Sequence, residues 1–204
     1  MSSSSILARI VPALLACLTL LGQAAASQTL QPKEALQLAF PQATIERCSI
    51  TLDKKQRARV EELAGHKLAS ARVRPYRAML DGKCVGTAYF DTRKVRTKAQ
   101  TLMIALDAAG KVKRIEVLRF DEPREYRAPA KWMAQFPGKS LSGTLKIKGE
   151  IRNLTGATLT ARATLDAVRE ALAVHQVLEA ERAKKAKERE ERKKRKEETE
   201  DPQP

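Results

Sequence analysis

Thr155, Thr158, Thr160 and Thr164 surround Gly156 in "NLTGATLTARAT", residues 153–164, just ahead of the chain's longest amphipathic stretch. A helix N-terminus has N–H groups without intrahelical partners and carries roughly half a positive charge, so it stabilises a phosphate oxygen without further apparatus. Gly156 lets another group approach the backbone, and the small side chain of Ala157 leaves room beside Thr158. Two readings of these hydroxyls stand side by side. In one, Thr155, Thr158 or Thr160 is an N-cap and Gly156 merely turns the chain. In the other, one hydroxyl is a chemical handle. Local physics favours the cap, because threonine caps are common.

Other reactive constellations find little support. His66 and His175 have no metal-ligand spacing around them, which leaves zinc and triad chemistry without a framework. "GKS" at residues 138–140 matches the end of a phosphate-binding P-loop, but the glycine needed five residues earlier is Met133. No C-x-x-C, C-x-x-C-H or G-x-G-x-x-G occurs, which argues against a thioredoxin-type pair, attached haem and a dinucleotide site.

The elements that position the threonines follow from punctuation and periodicity. "PKEALQLAF" reads as a short helix with Pro32 in its first turn, and "TIERCSITL" as a strand. "DKKQRARVEELAG" reads as a helix capped by Asp53 and stopped by Gly65. "ARVRPYRAML" and "KCVGTAYF" flank Asp81-Gly82, a hairpin signal. "TLMIALD" and "KVKRIEVLRF" flank "AAG", a second hairpin. A short helix at "PAKWMAQF", a turn at "PGKSL" and an extended "GTLKIKGEI" lead to a long helix from Leu159, with Ala161, Leu165, Val168 and Leu172 on one stripe. His175 extends that stripe as a core-edge residue. The expected class is α+β, an antiparallel sheet packed by helices.

Residues 1–26 have a short polar start with Arg9, an apolar run over residues 10–21 and a small-residue exit, the pattern of a secretory signal cut after Ala26. An uncleaved anchor is the main alternative, though Pro12 interrupts the run and it falls short of the roughly 20 residues that span a bilayer. Lipid attachment at Cys17 is a second. Residues 27–180 then form one domain and residues 181–204 a charged helical or disordered tail. Export would place Cys48 and Cys84 where disulfides form, so either one bridge or two buried thiols is expected. The net charge is +15; the tail, with ten basic and eight acidic residues, and Arg9 account for little of it, leaving +12 on residues 27–180. Such a field attracts phosphates, anionic lipid or acidic proteins. Nucleic acid is disfavoured, since aromatics are only 4% of the chain and do not interleave with basic residues.

"TGATLT" ahead of an amphipathic helix resembles the flavin-attachment motif of the FMN-binding domain family, which includes the G subunit of the Rnf complex and the C subunit of the sodium-pumping NADH:quinone reductase. "DGKCVGTAYFDTRKVRT", "TLMIALDAAGKVKRIEVLRFDEPREY", "WMAQFPGK" and "GATLTARATLDAVREAL" resemble, in that order, stand-alone exported members, over about residues 33–175. The resemblance implies FMN as cofactor, joined through a phosphoester to Thr158 by a flavin transferase, with Thr155, Gly156 and Ala157 around it. It implies a periplasmic electron carrier rather than a turnover enzyme, working with a redox partner such as a membrane complex or an acidic carrier. Arg96, Thr97 and Trp132 are further candidates for flavin contacts, each with an ordinary structural reading as a solvated strand end or a core aromatic. Two departures stand out. Arg152 occupies the position six before Thr158 where the family motif usually has aspartate, and "DEPREY" lies where the respiratory subunits carry "TPG". An arginine at residue 152 suits a non-covalently held flavin phosphate, or a flavin-free interaction protein that uses its basic face.

Overall fold

The computed structural model describes residues 30–200, with side chains described to residue 195. Residues 1–29, on which the expected signal, Cys17 and Ala26 fall, and the chain beyond Glu200 lie outside the described residues.

Helix α1, Pro32–Ala39, begins with proline at its first position, where the missing N–H costs nothing. Helix α2, Lys54–Ala64, is closed by a reciprocal cap: Gln56 N–H donates to Asp53 Oδ1 at 2.8 Å, and Asp53 N–H donates to Gln56 Oε1 at 3.1 Å. Gly65 ends it in the left-handed region at φ +83°.

Two single strands expected from the sequence are each split. "TIERCSITL" forms β1, Thr44–Arg47, and β2, Ile50–Thr51, which belong to different sheets. "ARVRPYRAML" forms β3, Arg72–Val73, and β4, Tyr76–Leu80. Pro75 is the cause in the second case, because it has no N–H to continue the ladder. Its carbonyl accepts from Cys48 N–H at 2.9 Å, so the chain changes sheet opposite it as well.

The main sheet runs β1-β4-β5-β6-β7, all neighbours antiparallel, with β5 at Lys83–Lys94, β6 at Ala99–Asp107 and β7 at Val112–Phe120. β4 and β5 meet at the Asp81-Gly82 turn, where both residues have positive φ, as a two-residue hairpin requires. At the β6–β7 turn, Asp107 Oδ1 accepts from the N–H groups of Ala109 and Lys111, both at 2.9 Å.

Both faces of the sheet are covered. Met103 and Ala105 of β6 pack with Ala35, Leu36, Ala39 and Phe40 around α1. Leu102, Ile104 and Leu106 point the other way, into the larger core shared by α2 and α4, Thr158–Glu200. A strand buried on both faces reads as the unbroken apolar run "TLMIAL" rather than as an alternation. The expected stripe of Ala161, Leu165, Val168 and Leu172 is buried throughout. The fold is therefore α+β, with an antiparallel sheet and a long C-terminal helix.

Between β7 and α4 the chain forms a 3-10 turn at Arg124–Tyr126 and the four-residue helix α3, Ala130–Met133. "GTLKIKGEI" is not extended. It is a series of turns with one isolated bridge between Ile147 and Ile151, and Lys148 adopts φ +64°.

Cys48 and Cys84 are free and half-buried. The strand register excludes the bridge considered from the sequence. Cys48 lies one residue past Arg47, which is level with Tyr76 and Ala88, whereas Cys84 pairs with Met79 near the far end of β4. That separation is two strand spacings across the sheet and several residues along it, well over ~10 Å, while a disulfide tolerates Cα atoms no more than about 7 Å apart.

Candidate functional site

The first turn of α4 resolves the cap question against the threonines. Ala157 holds the N-cap position: its carbonyl accepts from Ala161 N–H at 3.0 Å, and its side chain offers no acceptor. Thr158 is the first helical residue, half-buried, and its hydroxyl donates backwards to Leu154 O over a long 3.4 Å. Thr160 is buried and donates to Tyr126 O at 2.6 Å, tying the helix to the 3-10 turn. Thr164 accepts from Gln100 Nε2 at 3.2 Å inside the core. Thr155 is exposed in the turn before the helix. The helix entrance therefore has no threonine oxygen serving as its cap, and its first N–H groups are left for another acceptor.

Gly156 has φ +81°, but a Cβ there would meet nothing within 4 Å. The glycine is required by backbone conformation rather than by close approach of another group.

A cleft of about 370 Å³ opens at this helix entrance, lined by residues 156–160, Val95, Arg96, Glu122 and Tyr126. That volume lies within the range of small-ligand sites. Glu122 and Tyr126 come from "DEPREY", the segment that stands in place of the respiratory-subunit signature. The Glu122 carboxylate accepts from three consecutive backbone N–H groups, Arg96 at 3.0 Å, Thr97 at 2.6 Å and Lys98 at 2.7 Å. The Lys98 N–H first, with those of Thr97 and Arg96, holds its acidity below the ordinary carboxylate range against the opposing effect of burial. This clamp fixes the β5–β6 turn, and Arg96 lies over the Tyr126 ring at 5.4 Å.

The structure thus brings Arg96, Gly156, Ala157 and Thr158 together. Thr97 spends its N–H and hydroxyl on Glu122 and does not line the cleft. Trp132 is a core residue: it is 6% exposed, packs edge-on against Phe136 and donates Nε1–H to Arg152 O at 2.8 Å. Arg152 is exposed and also lies outside the cleft lining. Its backbone is what the fold uses, since its N–H donates to Gln135 Oε1 at 2.8 Å. Glu122, Tyr126, Val95 and Leu159 were not singled out from the sequence. Only the position of "DEPREY" pointed towards the first two.

A helix entrance without a side-chain cap, a nearby guanidinium and a hydroxyl at the first helical position suit a phosphate-bearing cofactor. Fold and site together define an α+β domain with a ligand-sized cleft at the mouth of its long helix. Residues 98–173 match the model of the FMN-binding domain, and FMN is the cofactor this match indicates. No curated protein matches the chain. Among solved structures it is similar to the crystal structure of Shewanella oneidensis NqrC, at 15% identity and a TM-score of 0.46, over 72% of this chain and 90% of that one.

Proposed function

We propose that this protein is an exported electron carrier whose FMN is esterified to Thr158. The carrying observation is the position of that hydroxyl, at the entrance of a helix capped by an alanine and in a cleft lined mostly by residues of the domain match. FMN bound here supplies one- or two-electron chemistry. The chain's part is to hold and orient. First-turn N–H groups and Arg96 would hold the phosphate, and Tyr126 and Leu159 give the cleft its apolar wall. In loading, the Thr158 hydroxyl gives up its proton and forms the new P–O bond. A flavin transferase brings the phosphoryl group as an anhydride, the other half of which leaves with the broken bond's electrons. A tether suits an exported carrier, because micromolar affinity, about −8 kcal/mol, would not retain a cofactor in dilute surroundings.

Intact mass and visible absorbance of protein co-expressed with a flavin transferase test this reading. The wild type is expected to stay yellow after denaturation and Thr158→Ala to lose the added mass. An unchanged yellow mass in the variant would overturn the assignment. Arg152 favours a second reading, in which the domain holds FMN without a covalent bond or works without flavin through its basic face. Flavin released on denaturation, or a colourless product, supports that one. Export predicts that the mature protein begins at Ser27 and fractionates with the periplasm.

A further inference from the structure

A second cleft, of about 310 Å³, lies between α4 and the arch formed by β1, β3 and β4, and shares no lining residue with the first. Its floor is apolar, formed by Tyr89 of β5 and by Ala167, Ala171 and Val174 of α4. The Tyr89 hydroxyl is already engaged with His175 Nδ1 at 3.2 Å, so the ring presents its apolar body. Three arginines from separate segments stand at the rim. Arg47 ends β1, Arg72 lies in β3, and Arg74 lies in the Pro75 connection.

All three are exposed and have no carboxylate partner among the described residues; Arg47 lies over the Tyr76 ring at 5.9 Å. Two carboxylates also line the cleft, Asp91 and Glu170, and both are held by Arg93, at 2.6 and 3.1 Å. His66 Nδ1 approaches Glu170 at 3.7 Å. The acidic groups are thus engaged internally by Arg93, and the three rim guanidiniums have no carboxylate to match them among the described residues.

A guanidinium is a planar fork that matches a carboxylate or phosphate, and it is weakly enough hydrated to give up water at a partly apolar site. We propose that this cleft binds a small organic anion, a carboxylate or phosphate monoester with an aromatic or acyl body. The oxyanion lies at Arg47, Arg72 and Arg74, and the body lies on Tyr89, Ala171 and Val174. The proposal stands independently of the flavin reading, because the two clefts are separate.

Titration calorimetry on the full chain tests it, with phenyl phosphate and octanoate as probes and inorganic phosphate and 1-octanol as controls. Both probes are expected to bind at least tenfold more tightly than either control. An Arg72→Gln/Arg74→Gln variant is expected to weaken them tenfold or more at an unchanged melting temperature, and Thr158→Ala to leave them unaffected. If the double variant does not melt cooperatively, Arg47→Gln gives the same test from another strand. Octanol binding as well as octanoate, phosphate binding as well as phenyl phosphate, or full affinity in the arginine variants would each overturn the proposal. Loss of binding in Thr158→Ala with retention in the arginine variants would move it to the first cleft and overturn it equally.

Discussion

Glu122 and Glu150 hold two loops in place as acceptors, and both do so only while ionised. Glu150 accepts from Thr144 Oγ1 at 2.5 Å and Ser142 Oγ at 2.8 Å and pairs with Lys139 at 2.9 Å; these contacts, that of Thr144 foremost, lower its pKa to about 2. Glu122 is lowered by its backbone donors. A carboxylate depressed on folding contributes stability that is complete above its unfolded pKa and is lost as pH falls through the folded one. For Glu150 that window runs from 4.5 down to about 2. Melting temperature is therefore expected to fall below pH 4.5, with a shallower acid limb and lower neutral stability in Glu122→Gln and Glu150→Gln. An acid limb identical to wild type would show that neither carboxylate is held as described. Thr158, which the structure places in the cleft lining, drew attention in the sequence because its neighbours form a recognisable string. Glu122 was not, since a carboxylate bound by three N–H groups of a distant turn leaves no local pattern. The threonine caps failed for a related reason: the helix starts at Thr158, one residue earlier than the periodicity suggested, and puts alanine at the cap.

At the scale of elements, α4 is fastened to its neighbours by an apolar stripe and several polar contacts, of which Arg169 makes four. Arg169 donates to the carbonyls of Leu63 and Ala64 at the end of α2 and to those of Ser142 and Leu145 in the segment between α3 and α4, all within 3.0 Å. Replacing it with methionine leaves these acceptors short of donors and is expected to cost on the order of 3 kcal/mol, read by chemical denaturation. Leu172→Ala, at a site 2% exposed, is expected to cost about 2–5 kcal/mol. Helices and hairpins were legible because each carries its own stop signals: Asp53 and Gly65 for α2, Asp81-Gly82 for the hairpin. The split strands were not. Pro75 was in view, but which edge it would interrupt depends on a pairing with residue 48 that only the assembled sheet supplies.

Taken as a whole, the molecule is a strongly basic body joined to a nearly balanced charged helix. The tail pairs within itself, with Lys184 3.9 Å from Glu188 and Lys194 3.3 Å from Glu190, and such exposed contacts contribute little. Deleting residues 182–204 is expected to change stability by less than about 0.5 kcal/mol. The basic body, by contrast, accelerates encounter with any acidic protein, such as an acidic redox carrier. Stopped-flow association rates are expected to fall as salt rises from roughly 0.01 to 0.15 M and the screening length shortens from about 30 to about 8 Å; a flat profile would remove the charge-steering argument. Both the overall charge and its division into a basic body and a nearly balanced tail were legible from the sequence; which tail residues pair needed the helix.

Helix α4 also acts as a ruler. At 1.5 Å per residue its 43 residues span about 65 Å, and the charged turns past residue 180 begin roughly 35 Å from Thr158. A small globular domain is only about 30 Å across. One such partner seated at the cleft cannot also grip the charged turns, so the two ends of this single helix can be engaged by two different molecules at once.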